Sequence, residues 1–120
     1  ALLSDGITPV IAPICIGDDA RYNVNADHVA GAVAAAVAAD RLVFVSNVPG
    51  VKAGDAVLPA LNAAQTHAFI ADGTISGGMI PKVQTALDAL ERGVQRVVIT
   101  DLDGLRSGGG TTFHSENIAK

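Results

Sequence analysis

A chain of 120 residues is long enough for one modest hydrophobic core, and one domain is expected. Hydrophobic residues make up 49% of it but aromatics only 3%, a balance that excludes disorder and suits small-residue helices packed on a buried sheet. The net charge of -4, with the basic residues scattered rather than clustered, provides no stripe to neutralise a nucleic-acid backbone.

In chain order, "ALLSDGITPVIAPI" reads as the last turn of a helix, a turn at Gly6 and then a strand, so the sequence is expected to begin inside an element, as a fragment would. Residues 7–14 form a near-continuous apolar run with β-branched residues, the mark of a strand covered on both faces. Cys15 beside it cannot form an internal disulfide, reads as a small buried hydrophobe and fits a reducing cytoplasm. Residues 26–39 are alanine-rich and predict a helix in which Gly31 permits close packing. Its apolar run is too short to span a bilayer, and no secretory leader opens the sequence, so no membrane partner is expected.

Residues 42–45 predict a second strand, ending at a Pro49-Gly50 turn, and residues 52–57 a loop. A second helix is predicted over residues 61–70. A third runs over 79–92, with Ile80, Val83, Leu87 and Leu90 at helical spacing and Gly93 as its stop. Residues 97–100 predict a third strand, and "TTF" after Gly108 to Gly110 an edge strand returning to the sheet. This order predicts an α/β fold, a layered α/β/α sandwich with a mostly parallel sheet and right-handed crossovers. Ligands then lie beyond the carboxyl ends of the strands.

Three stretches carry chemistry. In "YNVNAD", an extended backbone puts Asn23 and Asn25 on one side with Asp27 at the start of the alanine-rich helix. Asn25 is also a natural N-cap, and Asp27 suits the positive end of the helix dipole. "SNVPG", Ser46 to Gly50, follows a buried strand at its carboxyl end, although a plain turn explains the Pro-Gly equally well. In "DGTISGGMIPKV", Gly77 and Gly78 supply backbone N–H groups in front of a helix N-terminus, an anion site. Lys82 falls in the first turn of that helix, where the macrodipole disfavours a cation by roughly 0.3 to 1 kcal/mol. A bound phosphate would reverse the local field; a solvated lysine, or one paired with Asp72, is the alternative. Neither a Walker A loop nor a GxGxxG fingerprint is present. His28, His67 and His114 stand far apart with no metal-ligand spacing, and no serine has a hydrolase setting, so no resident metal is expected.

The three stretches, in this order and preceded by "TPVIAPI", resemble the C-terminal, nucleotide-binding half of the acetylglutamate kinases, in the amino acid kinase family. "YNVNADHVAGAVAAAVAADRLVFVSNVPGV" and "ADGTISGGMIPKVQTALDAL" are both close to the family pattern, and the resemblance covers most of residues 9–99. The Gly-Gly-Met-x-x-Lys signature is specific within the family. The resemblance implies an enzyme that uses ATP and Mg²⁺ to phosphorylate the side-chain carboxylate of N-acetyl-L-glutamate in arginine biosynthesis. It places that enzyme in the cytoplasm, as a homo-oligomer when complete.

By position, the resemblance implies that Asn23 binds the amino acid substrate, with Asn25 a weaker candidate. Asp27 would organise the catalytic lysines, and Lys82 would contact the transferring phosphoryl group. The nucleotide site would be lined by Ser46, Asn47, Val48, Pro49, Gly50, Val51 and Lys52, with Thr74, Ile75, Ser76, Gly77 and Gly78. Asn47 departs from the family's usual Asp and resembles instead the kinases of carrier-protein-linked aminoadipate or glutamate, which lack the Gly-Gly-Met signature. A non-catalytic module that binds a nucleotide or amino acid is the rival of another class.

"DLDGLRSGGG" is expected to replace a longer family helix. The family's N-terminal half carries a second lysine, a glycine-rich phosphate loop and most of the substrate pocket. Residues 1–120 are therefore expected to form the ATP-binding half alone, to bind nucleotide weakly and not to catalyse.

Overall fold

A computed structural model describes residues 4–115. Its elements are β1 (Ile14–Ile16), β2 (Arg21–Asn23), α1 (Ala26–Ala36), β3 (Arg41–Val45), β4 (Lys52–Ala53), β5 (Ala56–Val57), β6 (Ala60–Leu61), α2 (Ala63–Ala71), α3 (Met79–Glu91), β7 (Arg96–Thr100), α4 (Leu102–Ser107) and β8 (Thr111–His114). The fold is α/β, with a central four-stranded sheet in the order β3-β7-β8-β6 flanked by helices. β3 runs parallel to β7 and β6 parallel to β8, while β7 and β8 are antiparallel, so the sheet is mainly parallel.

Strand alternation builds the core. Leu42 and Phe44 of β3, Val97 and Ile99 of β7, and Phe113 of β8 are buried, whereas the intervening positions are more open. Helix α3 meets them with Val83, Ala86, Leu87 and Ala89, all buried. Ile80 and Leu90, at the margins of the predicted stripe, pack against this core partly buried. The alanines let α3 lie close to the sheet. At Gly31 a Cβ would meet Thr85 Cγ2 at an ordinary 3.6 Å, so α1 does not need its glycine for close approach.

Several expectations are corrected. Residues 7–14 do not form a buried strand: only Ile14–Ile16 pairs, antiparallel with β2, and Val10 is 97% exposed. Pro9 and Pro13 remove ladder donors, and among the described residues no strand lies beyond the free edge of β3 to build a covered sheet there. Cys15, within this bare segment, is exposed rather than buried.

The "TTF" strand is interior, not an edge, since β8 lies between β7 and β6. Residues 52–57 form a small hairpin of β4 and β5 rather than an irregular loop. The segment after Thr100 still folds a short helix, α4, because Asp101 caps it by accepting from Gly104 N–H at 2.7 Å. Helix α2 starts two residues later than the apolar pattern predicts. Asn62 and Gln65 form a reciprocal capping box, leaving Leu61 in β6. No helix among the described residues is long and apolar enough to cross a membrane.

Candidate functional site

Helices α1 and α3 pack on one another, bringing together the residues that start them. Lys82 Nζ lies 2.7 Å from Asp27 Oδ2 across 55 residues of sequence, with side chains 20% and 28% exposed. The Phe44 ring lies under the same ammonium, 5.4 Å from its centroid. The carboxylate and the ring offset the dipole cost of a cation at a helix start. Asp72 is not its partner: it accepts from Thr74 N–H at 2.9 Å, and these Thr74 hydrogen bonds hold its carboxyl below its ordinary value.

The start of α3 is open. Gly78 precedes it with no side-chain cap, and Gly77 takes a φ of 58°, a conformation suited to glycine. Met79 and Ile80 donate only to Ser76 and Gly77 carbonyls at 3.3 and 3.2 Å, and Pro81 has no N–H to donate. The Gly77 and Gly78 N–H groups have no partner among the described residues.

A cavity of about 200 Å³ lies in front of this turn, lined by Val48, Gly50, Val51, Lys52, Thr74, Ile75, Ser76 and Met79. Seven of these eight were predicted from sequence. Met79 was missed, though its place directly after the two glycines was the signal. Ser46, Asn47 and Pro49 belong to the same loop without lining the cavity, and Gly77 and Gly78 form the turn behind it. Ser46 N–H donates to the Thr100 carbonyl at 2.7 Å, tying the loop to the carboxyl end of β7.

Asn23 and Asn25 separate in role. Asn25 turns its side-chain oxygen into its own helix, accepting from Asp27 N–H at 2.8 Å and His28 N–H at 3.3 Å. Asn23 ends β2 and is exposed. Tyr22 beside it donates to Asp19 at 2.6 Å, a bond that raises the phenol's pKa.

A larger groove of about 560 Å³ runs along α1 and α3, lined by His28, Gly31, Pro81, Gln84, Thr85, Asp88 and Arg92. It contains none of the predicted residues and is mostly helix surface. Among the described residues, no three His, Cys, Asp or Glu side chains group to hold a metal ion.

A mainly parallel sheet, a loop cavity lined by Met79 at an uncapped helix start, and a carboxylate-held lysine one turn further along that helix are features suited to binding an anion. The profile of the amino acid kinase family matches residues 1–101, and the chain belongs to that family. It is 57% identical over 104 residues to an acetylglutamate kinase of Roseiflexus castenholzii, covering 87% of this chain and 40% of that protein. An acetylglutamate kinase of Chloroflexus aurantiacus is 56% identical over 117 residues, 96% of this chain and 46% of that protein. Among solved structures, smu.665 of Streptococcus mutans superposes with a TM-score of 0.81 at 34% identity, covering 94% of this chain and 45% of that one. The chain thus spans under half the length of these relatives.

Proposed function

We propose that residues 1–120 form one domain, the ATP-binding half of a kinase that phosphorylates the side-chain carboxylate of N-acetyl-L-glutamate. The observation that carries the proposal is the 2.7 Å pair of Lys82 and Asp27, with Lys82 one turn along α3 from Met79, which lines the cavity. The identity to proteins named acetylglutamate kinase supports the choice of substrate.

The residues fit a nucleoside triphosphate. The loop carrying Val48 to Lys52, with Thr74 to Met79 opposite, forms a cavity open toward an uncapped helix start. The Gly77 and Gly78 N–H groups and the dipole of α3 would hold phosphate oxygens. Mg²⁺ would arrive with those phosphates and neutralise part of their charge.

The acceptor carboxylate, with an ordinary pKa near about 4.3, is ionised at neutral pH, so no general base is needed. Its oxygen forms the new bond to the γ-phosphorus as the bond to the β-phosphate oxygen breaks, giving an acyl phosphate and ADP. What this chain contributes is position and charge. Lys82 neutralises the transferring group, Asp27 and Phe44 keep the ammonium in place, and Asn23 would contact the acceptor.

The test is a coupled assay of ATP consumption by the full-length protein, with N-acetylglutamate and carrier-linked glutamate or aminoadipate offered in parallel. Consumption with N-acetylglutamate alone is expected. Activity only with a carrier-linked acid would move the protein to that branch, and nucleotide binding without turnover on any acid would make it a binding module.

A further inference from the structure

We propose that Thr111 is a positioning residue for the cavity in front of α3, its hydroxyl setting the loop that carries Gly50 and Val51; this rests on the nucleotide reading above. Thr111 opens β8 and is fully buried, opposite Ile99 in an apolar sheet. A hydroxyl in such a place must be hydrogen-bonded, and this one bonds to backbone far away in sequence. It accepts from Val51 N–H at 2.9 Å and donates to the Leu58 carbonyl at 2.6 Å.

Val51 and Leu58 immediately flank the hairpin of β4 and β5, and Leu58 N–H donates to the Val51 carbonyl at 2.8 Å. An antiparallel pair would normally exchange a second bond, from Val51 N–H to the Leu58 carbonyl. The Thr111 hydroxyl is inserted in its place, and the hairpin is held open at its base. Gly50 makes room for it: at a φ of 156°, a Cβ there would stand 2.8 Å from Thr111 Oγ1 and 2.8 Å from Val57 Cγ1. Gly50 and Val51 both line the cavity, so the width of this hairpin base sets the cavity wall.

Without the hydroxyl, Val51 N–H and the Leu58 carbonyl either close on each other or remain unsatisfied, and both outcomes move the wall. The test measures affinity for the Mg²⁺ complex of the non-hydrolysable analogue AMP-PNP, with amide NMR shifts and urea unfolding, in full-length protein. Thr111→Val is expected to weaken binding about tenfold. Its shift changes should concentrate at Gly50, Val51 and Leu58, and Thr111→Ser should restore affinity to within about twofold.

Binding by Thr111→Val equal to that of the unsubstituted protein overturns the proposal, as does Thr111→Ser binding no better than Thr111→Val. Shift changes spread evenly over the sheet would reduce Thr111 to a stability residue and also overturn it. No binding by the unsubstituted protein overturns the nucleotide reading itself, and this proposal with it. If Thr111→Val does not fold, Gly50→Ala crowds the same hydroxyl and carries the test, and unchanged affinity in it overturns the proposal.

Discussion

Helix α1 begins with its first N–H groups satisfied by Asn25 and with the Asp27 carboxylate in its first turn. Helix α3, packed beside it, begins at a glycine with no side-chain cap and places Lys82 where a cation is disfavoured. The chain caps readily elsewhere, with a capping box on α2 and Asp101 on α4. Against those, the bare start of α3 stands out. A helix start without a side-chain cap gives up local stability, and the negative charge of a bound anion would take the place of the missing cap.

Three substitutions test this contrast. The largest expected effect is Lys82→Ala in the full-length protein, which should lower turnover by about 10²- to 10³-fold. Unfolding should move little, because Asp27 left alone still sits at the favourable end of α1. Steady-state kinetics with urea unfolding checks both, and unchanged turnover would remove Lys82 from the site.

Asn25→Ala should do the reverse. It should cost about 1 kcal/mol of stability through the lost cap while leaving nucleotide affinity unaltered. Weaker binding at unchanged stability would show that the two helix starts are not divided in this way.

The smallest effect concerns Asp72, at the end of α2, whose carboxyl is held below its ordinary 3.8 by the hydrogen bonds it accepts from Thr74. A lowered folded pKa contributes stability that is present above the unfolded value and lost as pH falls through the folded one. Asp72→Asn should therefore slightly flatten the acid limb of stability below about pH 4. Urea unfolding across that range checks it; an unchanged limb would mean that the Thr74 contact contributes nothing in solution.

Much of the molecule was legible because its signals are local. Period and stop residues placed α3 within one residue at either end, and the family resemblance, carried over by position, named seven of the eight residues around the cavity. Local signals failed where a long-range partner decides. Residues 7–14 and β7 are both rich in β-branched residues, yet Ile99 is fully buried and Val10 is 97% exposed. The difference is supply of neighbours: β7 has a strand on each side and α3 packed against it, whereas the earlier run, interrupted by two prolines, has neither. The "TTF" strand was misplaced for the same reason, since its side-chain pattern does not say which strands pair with it.

The sequence by itself determined the helices, the turns and the residue types that suit phosphate chemistry, because each depends on neighbours within a turn or two of chain. Only tertiary structure set Lys82 against Asp27 rather than Asp72 and slid the Thr111 hydroxyl between Val51 and Leu58. Those choices join groups up to 60 residues apart, and their energy depends on distance and burial after folding, which no local pattern encodes.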